Sequence, residues 1–352
     1  MSFILITGTL AVFSHEMDWA VNSEMRVSPQ PPGTPIAWGT MYESAKEAFP
    51  NGKLTGLMLG PDPWFAAQAV AQGPDGRLHR LWLNPYTGEY QGATGWLNIQ
   101  RFLRSTHRHL MMPNAIGIPI VCAFSFLLIA SMVTGLMVYK KFWRGFFRKP
   151  RFEQPVRTWT GDLHRLGALW SAWFLVLMAL TGIWYLAEKS LGGAAPRFEA
   201  PPIAVEREGV LPAGFKGTDL DQAAEEAKSA YPSLDLKIVL LPRSAAGNLM
   251  FGGEADAILV RPTANAVWVD PTSLDVTGIQ RGETLTAHQR LSELADPLHF
   301  GTWGGLITKI IWFLFGALLS GLSVTGMIIY GKRIGRAATR SVPAGHFAPA
   351  TP

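Results

Sequence analysis

Long apolar stretches constrain this chain more than any other feature of its sequence. Residues 116–139, 166–187 and 310–330 are almost wholly apolar, and each is long enough for the roughly 20-residue helix that crosses a bilayer. Residues 1–13 are also apolar, but a helix of that length rises only about 20 Å. The sequence therefore predicts a multi-pass membrane protein with four spans, the first of them short.

The composition supports a lipid environment. Charged residues make up 16% of the chain, against about 25% in a typical soluble domain. The net charge of +5 does not indicate a nucleic-acid partner, because the positive residues crowd beside the apolar stretches. The single cysteine, Cys122, excludes an intrachain disulfide and a cysteine-based metal cluster.

Basic residues predict the orientation of the chain. Lysines and arginines concentrate in the segment after the second apolar stretch and again after the last one, and such segments face the cytoplasm. They are Lys140, Lys141, Arg144, Arg148, Lys149, Arg151 and Arg157, then Lys332, Arg333, Arg336 and Arg340. We therefore expect cytoplasmic N- and C-termini, with both long connecting segments on the opposite side.

The two halves of the chain repeat each other. "AKEAFP" matches "AKSAYP", "LWLNPYTGEYQG" matches "VWVDPTSLDVTG", and "ASMVTGLMVYKK" matches "SGLSVTGMIIYGKR". Each long connecting segment reads as an amphipathic helix followed by short strands and a turn. Membrane proteins built from repeats often place their sites between the two copies.

Together these patterns predict an all-α four-helix membrane bundle with two outside α+β modules and an internal two-fold repeat. Transmembrane helices are expected at 1–13, 107–141, 163–188 and 299–331, and outside modules at 14–106 and 189–298. Residues 142–162 form a basic cytoplasmic loop, and residues 332–352 form a cytoplasmic tail.

With these features the chain resembles the PepSY-associated transmembrane (PepSY_TM) family, which includes iron-regulated inner-membrane proteins and ferric-siderophore reductases. The resemblance rests on the two repeated modules and on histidines at the span edges, in "STHRHL", "DLHRLGALW" and "DPLHFGTWGG". It implies a bacterial inner-membrane protein with periplasmic PepSY-like modules. It also implies b-type haems, held by histidines, that pass electrons to the iron of a bound siderophore.

His107 and His299 are the leading candidates for haem-iron ligands. They stand at nearly equal distances before the repeated Thr134-Gly135 and Thr325-Gly326 pairs, so pseudo-symmetry should let them face each other. Two opposed imidazoles give a haem iron suited to electron transfer. His109 competes with His107 for this role; we prefer His107 because it matches the family's position.

His164 opens the third apolar stretch on the cytoplasmic side and is a candidate ligand for a second haem. Its repeat counterpart would precede Met1, so we expect the first helix to lack its first half, through a misassigned start codon or a truncated copy. A truncated copy would deprive the second haem of one ligand. One or two b-type haems are therefore expected.

The other histidines carry less weight. His15 is expected at a solvated boundary, and His79 and His346 at the surface. His288 could bind substrate, although nothing in its spacing requires this. The Thr-Gly pairs are better explained by helix packing than by a cofactor.

These features predict a haem-containing electron-transfer protein that reduces ferric iron in a siderophore or other chelate at the periplasmic face. The inside loop is too short for a flavin or nicotinamide domain, so the electrons should come from a membrane quinol or a separate donor. One alternative is a non-catalytic membrane protein whose modules bind a periplasmic protein or peptidase. A transporter of the chelate is disfavoured, because the spans hold almost no polar groups near their middles.

Overall fold

The computed structural model describes residues 1–139, 141–196, 198, 203 and 207–340, and for Arg157, Ile329 and residues 332–340 it describes the backbone alone. The α-helices of these residues are α1 (Ser2–Ala11), α2 (Ser14–Val21), α3 (Trp38–Ala48), α4 (Ile99–His109), α5 (Asn114–Val138), α6 (Val156–Trp170), α7 (Ala172–Ser190), α8 (Gly217–Ala230), α9 (Ala287–Phe300) and α10 (Gly305–Arg340). The strands are β1 (Lys53–Met58), β2 (Ala67–Gln72), β3 (Leu78–Leu83), β4 (Tyr90–Gly95), β5 (Asp235–Leu240), β6 (Leu249–Glu254), β7 (Asn265–Val269) and β8 (Val276–Gln280).

Three helices, rather than four, are long and apolar enough to cross a membrane within the described residues: α5, α7 and the Gly305–Ile328 part of α10. The predicted four-helix bundle is therefore wrong. The first apolar stretch forms only the ten-residue helix α1, which rises about 15 Å, before the chain turns into α2. Its apolar surface is accommodated by packing against α10 and α4.

Small and hydroxyl-bearing residues mediate the contacts between the apolar helices. Thr9 and Ser320 share a hydrogen bond of 3.1 Å between α1 and α10, and Ser2 and Ser323 share one of 2.7 Å. A side chain at Gly316 would meet Thr9. Helices in lipid gain stability from such close approach and interhelical hydrogen bonds.

The two outside segments do not form two separate modules, which corrects the second half of the predicted architecture. They share one eight-stranded antiparallel sheet with the order β4-β3-β2-β1-β5-β6-β7-β8. The halves join where Gly56, Leu57 and Met58 of β1 pair with β5. Separate modules would each leave an unpaired edge strand at this point, and pairing satisfies both edges at once. Helices α3 and α8 contribute to one continuous core with the sheet.

A reciprocal pair of hydrogen bonds fixes the seam between the halves. The Gly217 N–H at the start of α8 donates to Glu43 of α3 (2.6 Å). The Gly39 N–H near the start of α3 donates to Asp221 of α8 (2.8 Å). Gly39 and Gly217 touch through their backbones, so a Cβ at either position would overlap the other helix. Each helix thus has its free N-terminal donors satisfied by a carboxylate of the other.

The histidine-bearing segments are helices distinct from the membrane spans. The sequence-based boundaries join His107 to the second span and His299 to the fourth. In the structure, Leu110 and Met111 have positive φ values of 55° and 59° and separate α4 from α5. Gly301, with φ 68°, ends α9 before α10 begins. Both histidines therefore lie in the last turn of a short helix at the mouth of the apolar helices.

Candidate functional site

His107 and His299 meet between the two repeats. Their ring centres are 6.1 Å apart and their planes are inclined by 35°. They come from α4 and α9, which occupy equivalent positions in the two halves of the chain. Two imidazoles that bind one metal ion from opposite sides would have ring centres about 6 Å apart, since each metal–nitrogen bond is about 2 Å long and each ring adds about 1 Å. The distance between the two ring centres therefore matches that of two imidazoles on one metal ion.

Hydrogen bonds fix the tautomer of each imidazole. His107 Nδ1 lies 2.9 Å from the carbonyl oxygen of Ile4, which can only accept, so Nδ1 carries the proton. His299 Nδ1 lies 2.7 Å from the hydroxyl of Thr181. That hydroxyl already donates to the carbonyl of Leu177, so it accepts from His299. With both protons on Nδ1, both Nε2 atoms keep the lone pair that a metal requires.

Burial keeps both imidazoles uncharged at neutral pH. It lowers the pKa of His107 below its usual value, against the bond to the Ile4 carbonyl, which raises it. Burial, and then the charge that His107 would carry, lower the pKa of His299 to about 4. A histidine must be neutral to bind a metal, so the surroundings favour the ligating form of both residues.

The pair faces a cavity of about 920 Å³, within the roughly 300–1,000 Å³ range of ligand-binding cavities. Its inner part is lined by residues of the apolar helices, among them Gly8, Ser125, Gly182 and Gly316. Its outer part is lined by the loop between β6 and β7, which includes Arg261. The cavity therefore has small and apolar residues on the side of the apolar helices and charged residues on the side of the sheet.

Gly8 packs directly on His107. A Cβ at Gly8 would lie 2.6 Å from Cε1 and 2.8 Å from Nδ1 of that imidazole. The absence of a side chain at this position thus allows the ring to reach the Ile4 carbonyl on the same helix.

Helix α4 is anchored at its first turn. The N–H groups of Ile99 and Gln100 donate to the two carboxylate oxygens of Asp18, each over 2.9 Å, and Asp18 is almost fully buried. Asn98 caps the same turn. This anchor sets the position of α4 and therefore of His107 at its far end.

A polar network anchors α9 in a different way. Arg261, from the loop before β7, binds Glu293 through two nitrogens, at 2.6 and 2.8 Å. Tyr185 of α7 donates to Asp296 (2.7 Å), and its ring packs edge-on against His299 with ring centres 5.4 Å apart. The sheet, α7 and α9 therefore fix His299 jointly.

His164 lies elsewhere and does not line this cavity. Its Nδ1 lies 3.0 Å from the hydroxyl of Thr325, which itself donates to a carbonyl of α10. Its Nε2 is therefore also the unprotonated nitrogen. His164 repeats the arrangement of His299 with Thr181, but with no second imidazole against it among the ring contacts of the described residues.

The remaining histidines have other surroundings. His109 ends α4 outside the cavity lining, and its buried Nδ1 has no hydrogen-bond partner in the described part of the chain. His288 Nε2 donates to the Gly193 carbonyl (2.9 Å), and the ring packs on Trp184. His15 lines the cavity. His79 lies on β3 against Phe49, and His346 lies outside the described residues.

Sequence reasoning missed the polar residues around the pair. Asp296 and Arg104 each stand three residues before a candidate histidine and hence on the same helix face; both line the cavity, as does Tyr185. Their three-residue spacing from the two histidines is visible in the sequence. Because one residue is acidic and the other basic, the alignment of the two repeats does not show them as equivalent. Lys309, which binds Glu16 over 2.6 Å, also lines the cavity.

Apolar spans, a shared outer sheet and a paired-histidine cavity define a membrane protein with a PepSY-associated region. The sequence profile described as the PepSY-associated TM region matches residues 1–333, and the chain belongs to this family. No curated protein matches the chain.

Proposed function

We propose that the protein is a haem-containing electron-transfer protein of the bacterial inner membrane that reduces ferric iron in a siderophore or other chelate at the periplasmic face. The observation that carries the proposal is the pair His107 and His299, with ring centres 6.1 Å apart and both Nδ1 protons bonded to acceptors on α1 and α7.

His107 and His299 would hold a haem b through their imidazole nitrogens. If bound there, the haem would supply a one-electron carrier suited to electron transfer. The Ile4 carbonyl and the Thr181 hydroxyl orient the two rings and keep their Nε2 atoms unprotonated. The apolar helices exclude water from the inner part of the cavity, while its polar outer part faces the sheet, where a chelate would arrive.

The proposed orientation places the sheet in the periplasm and both chain termini in the cytoplasm. It is supported by the basic segment between α5 and α6, which contains Lys141, Arg144 and Arg148, on the side of the spans opposite the sheet. Electrons would then enter from a membrane quinol or from a separate donor. His164, near that basic segment, would help to hold a second haem on the entry side.

The test is a reduced-minus-oxidised absorption spectrum with haem stoichiometry, on protein purified in detergent after expression with ample haem. The variants are His107→Ala, His299→Ala and His164→Ala, with His109→Ala as the matched control on the same helix as His107. We expect a low-spin b-type spectrum. His107→Ala and His299→Ala should each remove the signal of the haem held between these two histidines, and His109→Ala should leave the spectrum unchanged.

A colourless wild-type protein would overturn the proposal. It would favour a non-catalytic protein whose outer sheet binds a periplasmic protein or peptidase, for which substitution of His107 should be harmless. A second haem is tested separately, because His164→Ala should then remove a fraction of the haem that His107→Ala leaves in place.

A further inference from the structure

Two arginines on α4 face the cavity beside the histidine pair. Arg104 and Arg108 both line it, and they are one helical turn apart, on either side of His107, so they share a face. The Arg104 guanidinium lies 5.4 Å from the ring centre of Phe300, which in turn packs edge-on against His299. The charge of Arg104 is thus placed at the edge of the pair.

Neither arginine has a carboxylate within 4 Å among the described residues. Other cations of the same cavity do: Lys309 binds Glu16, and Arg261 binds Glu293 and Asp296. Asp296 attracts Arg104 only from a longer distance, because its oxygens are bonded to Tyr185 and Arg261.

Arg104 and Arg108 are both exposed and both line the cavity, so their guanidinium groups are accessible from it. Partial desolvation and then the nearby positive charge of Arg108 lower the pKa of Arg104. A guanidinium presents several N–H donors in a fork that matches a carboxylate or similar planar anion. An anion between the two arginines would satisfy these donors and remove their mutual repulsion.

From this geometry we infer that Arg104 and Arg108 form an anion-binding site for a carboxylate group beside His107. The inference rests on the proposed function for its place in the reaction: the carboxylate belongs either to an anionic ferric chelate docked for reduction or to a propionate of the haem. In the first case the protein is selective for anionic chelates over neutral ones; in the second the arginines retain the cofactor.

Arg104→Gln and Arg108→Gln test the site, with Arg101→Gln as the matched control. Arg101 is on the same helix but does not line the cavity, and its guanidinium stacks on Trp96 at 4.2 Å. Two readouts are needed on the purified protein: haem content with the rate of haem transfer to apomyoglobin, and the Kd by calorimetry. The Kd is measured for gallium(III) citrate, a redox-inert anionic chelate, and for a neutral gallium(III) trihydroxamate.

If the anion is the chelate, the Kd of gallium citrate should rise about tenfold or more in Arg104→Gln, with the trihydroxamate and the haem content unchanged. If it is a propionate, haem content should fall and haem transfer should accelerate by a similar factor, with both Kd values unchanged. Both readouts equal to those of Arg101→Gln would overturn the inference.

Two further measurements keep the test decisive. If Arg104→Gln fails to fold, Arg104→Lys, which keeps the charge, replaces it. The Kd of gallium citrate or the rate of haem transfer should then stay within about threefold of wild type, and higher ionic strength should weaken the binding. Binding that does not respond to ionic strength would count against the site. If the wild-type protein contains no haem, the proposed function fails, but a citrate affinity lost with Arg104 would still establish the anion site.

Discussion

Replacing Gly8 with alanine tests whether the fit between α1 and His107 sets the histidine pair. The new Cβ would lie 2.6 Å from Cε1 and 2.8 Å from Nδ1 of His107, whereas carbon atoms in contact lie about 3.5–4.0 Å apart. The imidazole must therefore retreat by roughly 1 Å. Its 2.9 Å hydrogen bond to Ile4 would then stretch beyond bonding distance.

The cost of such overpacking is about 1–3 kcal/mol, which corresponds to a loss of haem affinity of about 5- to 150-fold if the strain is relieved by displacing His107. The matched control is Gly135→Ala, in another Thr-Gly pair, where a Cβ meets nothing within 4 Å. Haem transfer to apomyoglobin measures the affinity, and thermal unfolding of the haem-free protein measures the strain without the cofactor.

Gly8→Ala should lower the thermal midpoint of the haem-free protein and accelerate haem loss, and Gly135→Ala should do neither. Equal midpoints and equal haem-transfer rates in the two variants would refute the argument that the Gly8 contact positions the imidazole. A lower midpoint without faster haem loss would show that α1 moves instead of His107. In that case Gly8 would not position the imidazole.

Three other predictions follow from the contacts around the site and the seam. Thr181→Val removes the acceptor for His299 Nδ1 and should cost about 1–3 kcal/mol of stability or haem binding, since a buried donor is left unpaired; haem titration measures it. Glu43→Ala and Asp221→Ala should each lower the free energy of unfolding by about 1 kcal/mol, because each removes a cap from the opposite helix; denaturant unfolding followed by circular dichroism measures it. The haem-free protein should lose stability as the pH falls from about 6.5 to 4. The pKa of His299 is lowered from 6.5 to about 4 in the folded protein, so the unfolded chain binds more protons in that window. Thermal midpoints measured across the range test this, and they should not change with pH above it.

Each of these predictions has a control within the chain. Thr134→Val removes a hydroxyl that bonds only to its own helix and should leave haem binding intact. Glu47→Ala, on the exposed face of α3, should leave stability unchanged, and an equal loss there would reject the capping role of Glu43. His299→Gln should reduce the slope of the pH profile without removing it, because burial also lowers the pKa of His15 to about 4. A slope of the same size in this variant would assign the acid sensitivity to other groups.

The two repeats differ in charge beside the histidine pair. His107 and His299 occupy equivalent positions, yet the residue three places earlier is Arg104 in one copy and Asp296 in the other. Asp296 is bonded within the protein, whereas Arg104 faces the cavity without an ion pair within 4 Å in the described chain. A pseudo-symmetric scaffold thus holds a symmetric pair of imidazoles beside an asymmetric charge.

The repeat pattern did not predict that the two outside segments share one sheet. The sequence of each segment indicates a helix followed by short strands, and that pattern predicted two like units. Nothing in the pattern of one copy shows which edge strand has a partner, since β1 and β5 read the same whether paired with each other or solvated. The pairing of Gly56 with Leu240 and the contact of Gly39 with Gly217 are properties of both copies together.

The sequence by itself determined the membrane character, the family and the candidate histidines, because these depend on apolar run length and on motifs that neighbouring residues carry. The predicted equivalence of His107 and His299 also came from spacing alone; their role as ligands stays a prediction. The tertiary structure decided the number of long spans, the single sheet and the Nδ1 partners, and it left Arg104 and Arg108 without an ion pair to any described carboxylate. These depend on which side chains meet across long separations, and residue order does not specify such distances and hydrogen-bond partners.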